Sequence, residues 1–409
     1  MTEDKEKFSI TVKSNTKDLY GFMKLVPNRK RRIEEASNEP IKSDPLNDLA
    51  RELHPERQYL IINEIRDETK SAKTFKLIPD PESNTKNLAF FRAGQYLSLK
   101  VNVYGVEITR PYSIASSPKD AQKGFYEITI RKEEHGFLTN YIWDHWKYGT
   151  KVVSSGPEGF FYFEPLRDLK HIVGIAGGSG ITPFRSIAKA IINGNMDAKL
   201  TVLYGNSEED DIIYYNEFKE LEKEHPDKLK VVYVLSCEEV TLEECETGFI
   251  TADIIEKFCD VNKSTFFICG PQVMYEFVEK ELKRFALPQK RIRREPFGEI
   301  KDIVNYPGFP KDIAEKTFKI KTQIGNTTKE IPAIATESVL VTMERANLTP
   351  PSKCRSGECG FCRSLLISGD IYISPINDWR KAADKKFNYF HPCYSYPLSD
   401  LEINVPKHL

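Results

Sequence analysis

The sequence lacks the features that would place it in a membrane, in a fibre or on a nucleic acid. It has no run of about 18 apolar residues, so no transmembrane segment is predicted. It has no internal repeat and no low-complexity tract. Lys and Arg number 59 against 60 Asp and Glu, and this net charge of −1 gives no general case for nucleic-acid binding. A globular chain of 409 residues remains, long enough for roughly two to four domains.

Cysteine is also scarce, with eight residues, and nothing at the N-terminus resembles a signal peptide. We therefore predict a cytoplasmic chain whose thiols are reduced, although disulfides are the alternative use of paired cysteines. Four of the eight cysteines lie close together in the sequence, at Cys354, Cys359, Cys362 and Cys393. The spacing CxxxxCxxC followed by one distant cysteine is the spacing that holds a plant-type [2Fe–2S] cluster.

The residues around these cysteines favour the iron–sulfur interpretation. Gly357 and Gly360 let the loop curl around a small inorganic core, with backbone N–H groups facing its sulfides. Zinc remains an alternative, but structural zinc sites usually pair two CxxC knuckles. The second half of this motif offers only Cys393, with His391 nearby.

Upstream, residues 55–165 contain short β-type runs separated by turns, which predict a small antiparallel barrel with one helix near Leu138–Trp146. Within it lies Arg110-Pro111-Tyr112-Ser113, which offers an arginine fork for a phosphate, a tyrosine face for an aromatic ring and a hydroxyl. Taken alone, this tetrapeptide is also a common strand pattern. The stretch Gly136-Phe137-Leu138-Thr139 opens the helix, whose N-terminal N–H groups suit a phosphate.

Residues 166–300 alternate strand and helix patterns, which predicts a series of βαβ units around a parallel sheet. The first strand-to-helix turn, Gly177-Gly178-Ser179-Gly180, lets a dinucleotide backbone approach closely. The spacing is not GxGxxG, so the usual Rossmann fingerprint is absent.

The two ends of the chain complete the predicted organisation. Residues 1–54 form an extension of unknown role, with a strand-like stretch at Phe8–Val12, a basic run at Asn28–Arg32 and a short helix at Asp44–Leu53. Residues 301–315 contain three Pro or Gly residues and are interpreted as a linker. Residues 316–409 begin with a hairpin and a helix typical of a ferredoxin-like α+β fold.

The motifs together resemble a known family. Arg110–Ser113, Gly177–Pro183, Cys269-Gly270-Pro271 and the four cysteines, in this order, are similar to the signature set of the ferredoxin reductase superfamily. A cluster domain at the C-terminus resembles oxygenase reductases of the phthalate dioxygenase reductase type and the NADH oxidoreductase that serves hybrid cluster protein. The resemblance covers about residues 55–409 and leaves out the first 54.

For the flavin, the resemblance implies that Arg110 contacts its phosphate, Tyr112 packs on the isoalloxazine and Ser113 hydrogen-bonds near N5. The family's second flavin motif is similar to GGxxS, and this chain has His135-Gly136-Phe137-Leu138-Thr139 instead. The continuation Ser116-Ser117-Pro118 resembles FAD-binding members, so FAD is favoured, with FMN as the alternative.

For the nicotinamide cofactor, the resemblance implies a second set of residues. The pyrophosphate would contact Gly177, Gly178, Gly180 and Thr182, and the reacting carbon would lie beside Cys269, Gly270 and Pro271; Phe297 would end the domain near the flavin. A buried structural role is the alternative for Cys269, because cysteine is among the most buried residue types. The remaining cysteines, at 237, 245 and 259, match no motif and are interpreted as structural.

Charge predicts which nicotinamide cofactor is used. Glu208, Glu209, Asp210 and Asp211 fall where the adenosine ribose would lie in the family, and such acids repel a 2′-phosphate. NADH is therefore favoured over NADPH. The alternative is that some of these acids cap the helix that follows.

The resulting prediction is an NADH-dependent flavin iron–sulfur reductase. NADH gives a hydride to the flavin, and single electrons leave through the cluster for a separate redox protein such as an oxygenase or hybrid cluster protein. Residues 316–409 carry 13 Lys and Arg against nine Asp and Glu, a net of +4, which suits an acidic partner surface unless these charges are merely scattered. Two alternatives stay open: a non-autonomous electron-transfer subunit of a larger complex, and a redox-responsive binding protein.

Overall fold

The computed structural model describes residues 16–39, 44–236, 241–296, 298–300, 302–375 and 378–406. The predicted strand at Phe8–Val12, the structural assignment of Cys237 and the flavin-side role of Phe297 lie outside these residues. The chain divides into two units, Met1–Ala50 and Arg51–Leu409. In the described part of the chain, no helix is long and apolar enough to cross a membrane.

The N-terminal unit is helical where it is described. Helix α1 (Thr16–Glu34) carries the basic run Asn28–Arg32 and buries none of its residues, so this run lies on a solvated helix surface. Helix α2 (Pro45–Leu53) begins as predicted, since the Asp44 carboxylate accepts a hydrogen bond from the Asn47 N–H at 3.2 Å. The 19-residue helix α1 was not predicted, because Gly21 and Pro27 interrupt its pattern.

The first domain of the large unit is an antiparallel β-sheet with two short helices. Its strands follow the sheet order β4-β3-β6-β1-β2-β5. Alternate residues point to the core, as Leu60 and Ile62 do on β1 and Leu97 and Leu99 do on β3. The elements are β1 (Gln58–Asp67), β2 (Ala72–Pro79), β3 (Tyr96–Val103), β4 (Val106–Ser113), α3 (Pro118–Gln122), β5 (Tyr126–Arg131), α4 (Phe137–His145) and β6 (Lys151–Ser154).

Sequence reasoning missed two of these elements. Strand β4 pairs with β3 over eight positions. It was not predicted because it ends in the tetrapeptide Arg110–Ser113, whose polar residues interrupt the apolar pattern of a strand. Ser117 caps helix α3 through a reciprocal box with Asp120. The Ser116 hydroxyl accepts the Glu127 N–H at 3.0 Å. The stretch Ser116–Pro118 therefore has a structural role in this chain.

The second domain is a six-stranded sheet in which each pair of neighbouring strands is parallel, as predicted. The order β10-β9-β8-β7-β11-β12 means that the chain moves outwards from β7 and then returns to its other side. The elements are β7 (His171–Gly177), α5 (Thr182–Ile192), β8 (Lys199–Asn206), α6 (Tyr215–Glu224), β9 (Leu229–Leu235), β10 (Cys245–Thr247), α7 (Ala252–Phe258), β11 (Ser264–Cys269), α8 (Gln272–Leu282) and β12 (Ile292–Arg294).

The third domain has the predicted ferredoxin-like fold. Its main sheet has the order β14-β13-β19-β15-β17, and α9 packs on it through Val339, Leu340 and Met343. The elements are β13 (Thr317–Ile324), β14 (Thr327–Ile334), α9 (Val339–Arg345), β15 (Ser364–Ser368), β16 (Ile371–Tyr372), α10 (Ala382–Lys386), β17 (Tyr389–Phe390), β18 (Tyr396–Pro397) and β19 (Leu401–Val405). The segment interpreted as a linker makes core contacts of its own, since Ile303, Phe309 and Ile313 are buried in this domain's core.

A buried arginine joins the first two domains. Arg185 on α5 donates to Glu127 on β5 at 2.6 Å, to Glu217 on α6 at 2.7 Å and to the Ala115 carbonyl at 3.1 Å. Its side chain is only 4% exposed. A charge so far from water must be paired, and here the pairing partners lie on both domains.

We expect Arg185→Ala to lower the free energy of unfolding by about 3–5 kcal/mol, because the buried Glu127 would lose its partner at 2.6 Å and be left with Arg66 at 3.4 Å. Arg284→Ala is the matched control, since Arg284 pairs with Asp253 at 53% side-chain exposure. The control should cost less than about 1 kcal/mol. Denaturant unfolding followed by circular dichroism measures both, and equal losses would contradict the role given to Arg185.

Candidate functional site

The four motif cysteines come together at one edge of the third domain. The sulfurs of Cys362 and Cys393 lie 3.4 Å apart. The Cys354 sulfur accepts the Cys359 N–H at 3.4 Å, and its side chain also contacts those of Cys359 and Cys393. The structure therefore gathers cysteines that are up to 39 positions apart in the sequence.

The loop that carries three of these cysteines has the backbone that the glycines allow. Gly357 and Gly360 have φ of +80° and +68°, and a Cβ at Gly357 would lie 2.9 Å from Tyr394. His391 contacts the Gly357 carbonyl through Nδ1 at 2.5 Å. This histidine therefore braces the loop.

The thiols fit a [2Fe–2S] cluster by number, pairing and state. All four are free, and they fall into a Cys354–Cys359 pair and a Cys362–Cys393 pair, as two irons with two protein sulfurs each require. Among the described residues, no three His, Cys, Asp or Glu side chains form a site for a single metal ion. Three of the sulfurs belong to buried residues, and Cys359 is exposed.

Strand β4 brings the flavin motif next to the cluster loop. Arg110 contacts Glu344 of α9 at 3.9 Å, and burial together with the nearby Arg355 lowers the pKa of Arg110. Ser113 is buried at the strand end, and Tyr112 is half-buried. The tetrapeptide thus lies where the first and third domains meet.

Helix α4 offers a second element that fits a flavin phosphate. Gly136 is its N-cap and makes no side-chain cap hydrogen bond, so the helix dipole and the N–H groups of the first turn are available to an anion. A Cβ at Gly136 would overlap the Thr139 hydroxyl, which explains the glycine. Asn140 on the same turn has a buried side-chain oxygen without a hydrogen-bond partner.

The nucleotide site follows from the strand order of the second domain. Ligands of such sheets bind at the carboxyl ends of the strands where the order reverses, which here are β7 and β11. Gly177–Gly180 follows β7, and Cys269–Pro271 lies at the end of β11. The two predicted sequence motifs therefore meet at this point.

Close packing explains the glycines at this point. A Cβ at Gly177 would lie 2.6 Å from the Met274 sulfur, and one at Gly180 would overlap the Cys269 carbonyl. Gly178 has a φ of +52°, and a Cβ there would lie 2.5 Å from the guanidinium of Arg131. The Thr182 hydroxyl donates to the Ser179 carbonyl at 2.7 Å. In this structure the hydroxyl that was predicted to contact the pyrophosphate therefore stabilises the glycine-rich turn.

A buried carboxyl group lies beside Cys269. Burial, and then the neighbouring Glu295, raise the pKa of the Cys269 thiol well above its ordinary value. Burial also raises the pKa of Glu295, with Glu358 and Cys354 adding to the effect. The sequence analysis placed only Phe297 near the flavin. It therefore missed Glu295, a carboxyl group that lies between the nicotinamide side and the cluster.

The acids predicted to face the ribose are already paired. Glu208 and Asp210 pair with Lys70 at 2.6 and 3.0 Å. Glu209 accepts from Thr241 and Leu242. Asp211 accepts from Thr69 and Ser71 of the β1–β2 loop and from Arg131.

A cavity of about 190 Å³ nevertheless fits part of a dinucleotide. It is lined by Arg131, Asn206, Ser207, Glu208 and Asp211. Both polar atoms of the Asn206 side chain are buried without a hydrogen-bond partner, and a ligand would supply partners. Arg131 and Asn206 were not predicted from the sequence. For Asn206, the available signal was a polar residue at the carboxyl end of strand β8.

Three family models match the chain in order. The oxidoreductase FAD-binding domain matches residues 60–163, the oxidoreductase NAD-binding domain matches residues 175–280, and the 2Fe-2S iron-sulfur cluster binding domain matches residues 322–398. The three matches follow the order of the three domains in the structure.

Individual proteins are similar over long stretches. The ferredoxin reductase component of 3-ketosteroid-9-alpha-monooxygenase from Mycobacterium tuberculosis is 28% identical over 377 residues, which is 88% of this chain and 97% of that protein. NADH-cytochrome b5 reductase 1 from Candida glabrata is 32% identical over 214 residues, which is 52% of this chain and 73% of that protein. The solved structure of phthalate dioxygenase reductase has the same fold, with a TM-score of 0.62, 20% identity and coverage of 89% of this chain and all of the other.

The fold and the site thus define a class of oxidoreductases that combine a flavin domain, a nicotinamide domain and a [2Fe–2S] domain in one chain. Within that class, the chain belongs to the ferredoxin reductase superfamily, with a C-terminal [2Fe–2S] domain. It is an NADH-dependent reductase whose cofactors are FAD, NADH and the cluster, as predicted. The role of each site residue stays a prediction.

We expect Gly180→Ala to destabilise the second domain by about 1–3 kcal/mol, because its Cβ would overlap the Cys269 carbonyl. Gly205→Ala is the matched control, since the nearest atom to its Cβ lies at an ordinary contact distance of 3.5 Å. The measurement is denaturant unfolding of both variants without NADH. A smaller loss for Gly180→Ala than for Gly205→Ala would refute the packing argument.

Proposed function

We propose that this chain is the reductase component of an oxygenase system. It takes a hydride from NADH onto FAD and sends single electrons through its [2Fe–2S] cluster to a separate oxygenase. The observation that carries the proposal is the junction at which β4, with Arg110–Ser113, meets the cluster loop that begins at Cys354. The similarity to a ferredoxin reductase component of a monooxygenase supports the choice of acceptor.

The proposed steps assign roles to particular residues. When bound, the flavin accepts the two electrons of a hydride and releases them singly, as NADH and a one-electron cluster require. Ser113 would orient the flavin ring, and Cys269 would orient the nicotinamide. Both are buried, which excludes water from the hydride step.

The remaining proposed contacts divide into three groups. Arg110, Pro111, Tyr112 and the first turn of α4, residues 136–139, would hold FAD, with Phe297 at its edge. Gly177, Gly178, Gly180, Thr182, Glu208, Gly270 and Pro271 would hold NADH. Cys354, Cys359, Cys362 and Cys393 would hold the cluster. These assignments rest on the motifs and on their meeting points in the fold.

The surface beside the cluster suits an acidic partner. Trp379 and Arg380 line a small depression together with Gly357 and His391 of the cluster site. Helix α10 follows with Lys385 and Lys386 in its last turn. Asp378 also lines the depression and pairs with Arg380 at 2.9 Å and with Lys385 at 3.0 Å, so part of this positive charge is neutralised. An exposed aromatic ring on a surface where basic residues outnumber acidic ones favours a negatively charged protein surface. We propose that the oxygenase docks here, in the cytoplasm, where NADH is available and thiols stay reduced.

We expect Cys359→Ser to abolish reduction of a protein acceptor and to leave bleaching of the flavin by NADH in place, because it removes a cluster ligand and no residue of the hydride site. Cys245→Ser, a cysteine outside the cluster, is the matched control and should keep both activities. The assays are flavin absorbance after mixing with NADH and reduction of cytochrome c. Loss of flavin bleaching in folded Cys359→Ser would show that the order of carriers is wrong.

Absence of any NADH-driven turnover with purified, fully loaded protein would favour the alternatives, a non-autonomous subunit or a redox-responsive binding protein. Rapid turnover by the isolated chain would exclude both.

We expect Glu208→Arg to raise the preference for NADPH over NADH by about tenfold, since the ribose side of the cavity would lose a carboxylate and gain a cation. Two variants serve as controls and should leave the cofactor preference unchanged. Lys70→Ala removes the same ion pair without adding positive charge, and Glu220→Arg makes the same charge change on α6, away from the cavity. The ratio of kcat/KM for the two cofactors is the measurement. An unchanged ratio in Glu208→Arg would mean that the ribose lies elsewhere.

A further inference from the structure

Arg355, which directly follows the cluster ligand Cys354, is a fully buried arginine. Its guanidinium donates to both carboxylate oxygens of Glu344, at 2.6 and 2.9 Å. It also donates to Glu299 and, at 3.4 Å, to the Thr109 carbonyl. The side chain has 0% exposure, so these partners take the place of water at its two terminal nitrogens, while Nε is buried without a hydrogen-bond partner.

The partners of Arg355 come from three different parts of the chain. Thr109 belongs to β4 of the first domain and directly precedes Arg110. Glu344 belongs to α9 of the third domain, and Glu299 to the segment that leaves the second domain. A single planar guanidinium therefore ties the cluster loop to the flavin strand and to the end of the nucleotide domain.

The backbone at this position depends on the side chain. Arg355 has a φ of +58°, in the left-handed region that non-glycine residues seldom adopt. Residues stay in such conformations where surrounding contacts determine them, and the described contacts of this side chain do so here. The turn after Cys354 is thus set by partners outside the cluster loop.

We propose that Arg355 is a positioning residue that fixes the [2Fe–2S] loop against the flavin strand and so sets the rate of electron transfer between the two cofactors. The inference rests on the proposed function. In the step concerned, one electron leaves the reduced flavin and one ferric iron of the cluster becomes ferrous; NADH supplies the electrons, and no atom is transferred. Electron transfer slows steeply with distance, so a loosened loop would slow this step and no other.

The chain contains an internal control for this proposal. Arg363 also directly follows a cluster cysteine, Cys362, but its side chain is 42% exposed and pairs with Asp384 of the same domain. Its ring contact is with Tyr389, also in the third domain. Arg363 resembles Arg355 in residue type and in place relative to the cluster, and differs in having no described partner in the flavin domain.

The test compares Arg355→Lys with Arg363→Lys in the fully loaded protein. Lysine keeps the positive charge but lacks the planar fork that bridges Glu344, Glu299 and Thr109. Stopped-flow absorbance after mixing with NADH separates flavin reduction from cluster reduction. For Arg355→Lys we expect unchanged flavin reduction and cluster reduction slowed about tenfold or more, with an unaltered electron paramagnetic resonance spectrum of the reduced cluster. Arg363→Lys should match the parent protein.

Hydrogen exchange provides a readout that does not depend on turnover. In Arg355→Lys, the amides of residues 109–113 and 354–360 should both exchange faster, because the bond between the two segments is lost. If the role of Arg355 were confined to the third domain, only the amides of residues 354–360 would exchange faster. Glu299→Gln, which keeps the Arg355–Glu344 pair, should give a smaller change of the same kind and serves if Arg355→Lys does not fold.

Unchanged cluster reduction together with unchanged exchange in residues 109–113 would overturn the proposal, as would equal slowing in Arg363→Lys. If NADH did not reduce the flavin of the parent protein, the proposed function would be contradicted instead. Failure of the proposed function and failure of this inference are therefore distinguishable.

Discussion

Buried arginines that cross domain boundaries are the interaction on which the rest of this structure depends. Arg185 joins β5 of the flavin domain to α6 of the nucleotide domain. Arg355 joins β4 to the cluster loop, and the partly exposed Arg131 adds an ion pair between the flavin domain and Asp211. The two buried guanidinium groups have carboxylate partners, and because removing water from a charge is costly, these partners cannot separate without a large penalty. The three domains thereby keep a fixed arrangement.

This arrangement matters because the chemistry moves between modules. A hydride has to pass from the nucleotide domain to the flavin domain, and single electrons have to pass from there to the cluster domain. Each transfer requires that the donor and acceptor groups of neighbouring domains lie close together. At the first boundary, Gly178 lets the turn after β7 approach β5 of the flavin domain, since a Cβ there would lie 2.5 Å from the guanidinium of Arg131. At the second boundary, the left-handed turn at Arg355 brings the Cys354 loop to the flavin strand.

The cluster loop is held from two sides. His391 and Gly357 brace it from within the third domain, and three of the four sulfurs belong to buried residues, while Cys359 is exposed. Lys353, directly before Cys354, pairs with Glu158 of the flavin domain, and its ammonium lies 4.2 Å from the centre of the Phe361 ring. The loop is therefore in contact with the flavin domain at this end as well as through Arg355.

The sequence alone specifies the parts of this protein whose chemistry is local. Cysteine spacing predicts the cluster because the ligands of one loop must follow a fixed backbone path, and the glycine-rich turn after β7 predicts a phosphate site for the same reason. Apolar strands that alternate with helices predict the parallel sheet. Alternation of apolar and polar residues along a strand predicts the half-buried strands of the other two domains, since burial of one face imposes a period of two. Strand β4 escaped notice because its functional residues interrupt that pattern.

Which residues from distant segments meet is visible only in the folded chain. Asn206 has no partner in its own segment, Glu295 lies beside Cys269 only after β11 and β12 pair, and Glu208 finds Lys70 across a domain boundary. Arg355 reads in the sequence as one basic residue in a cysteine motif. Its three partners are 11, 56 and 246 residues away, and contacts at such separations follow from packing, which no local pattern encodes.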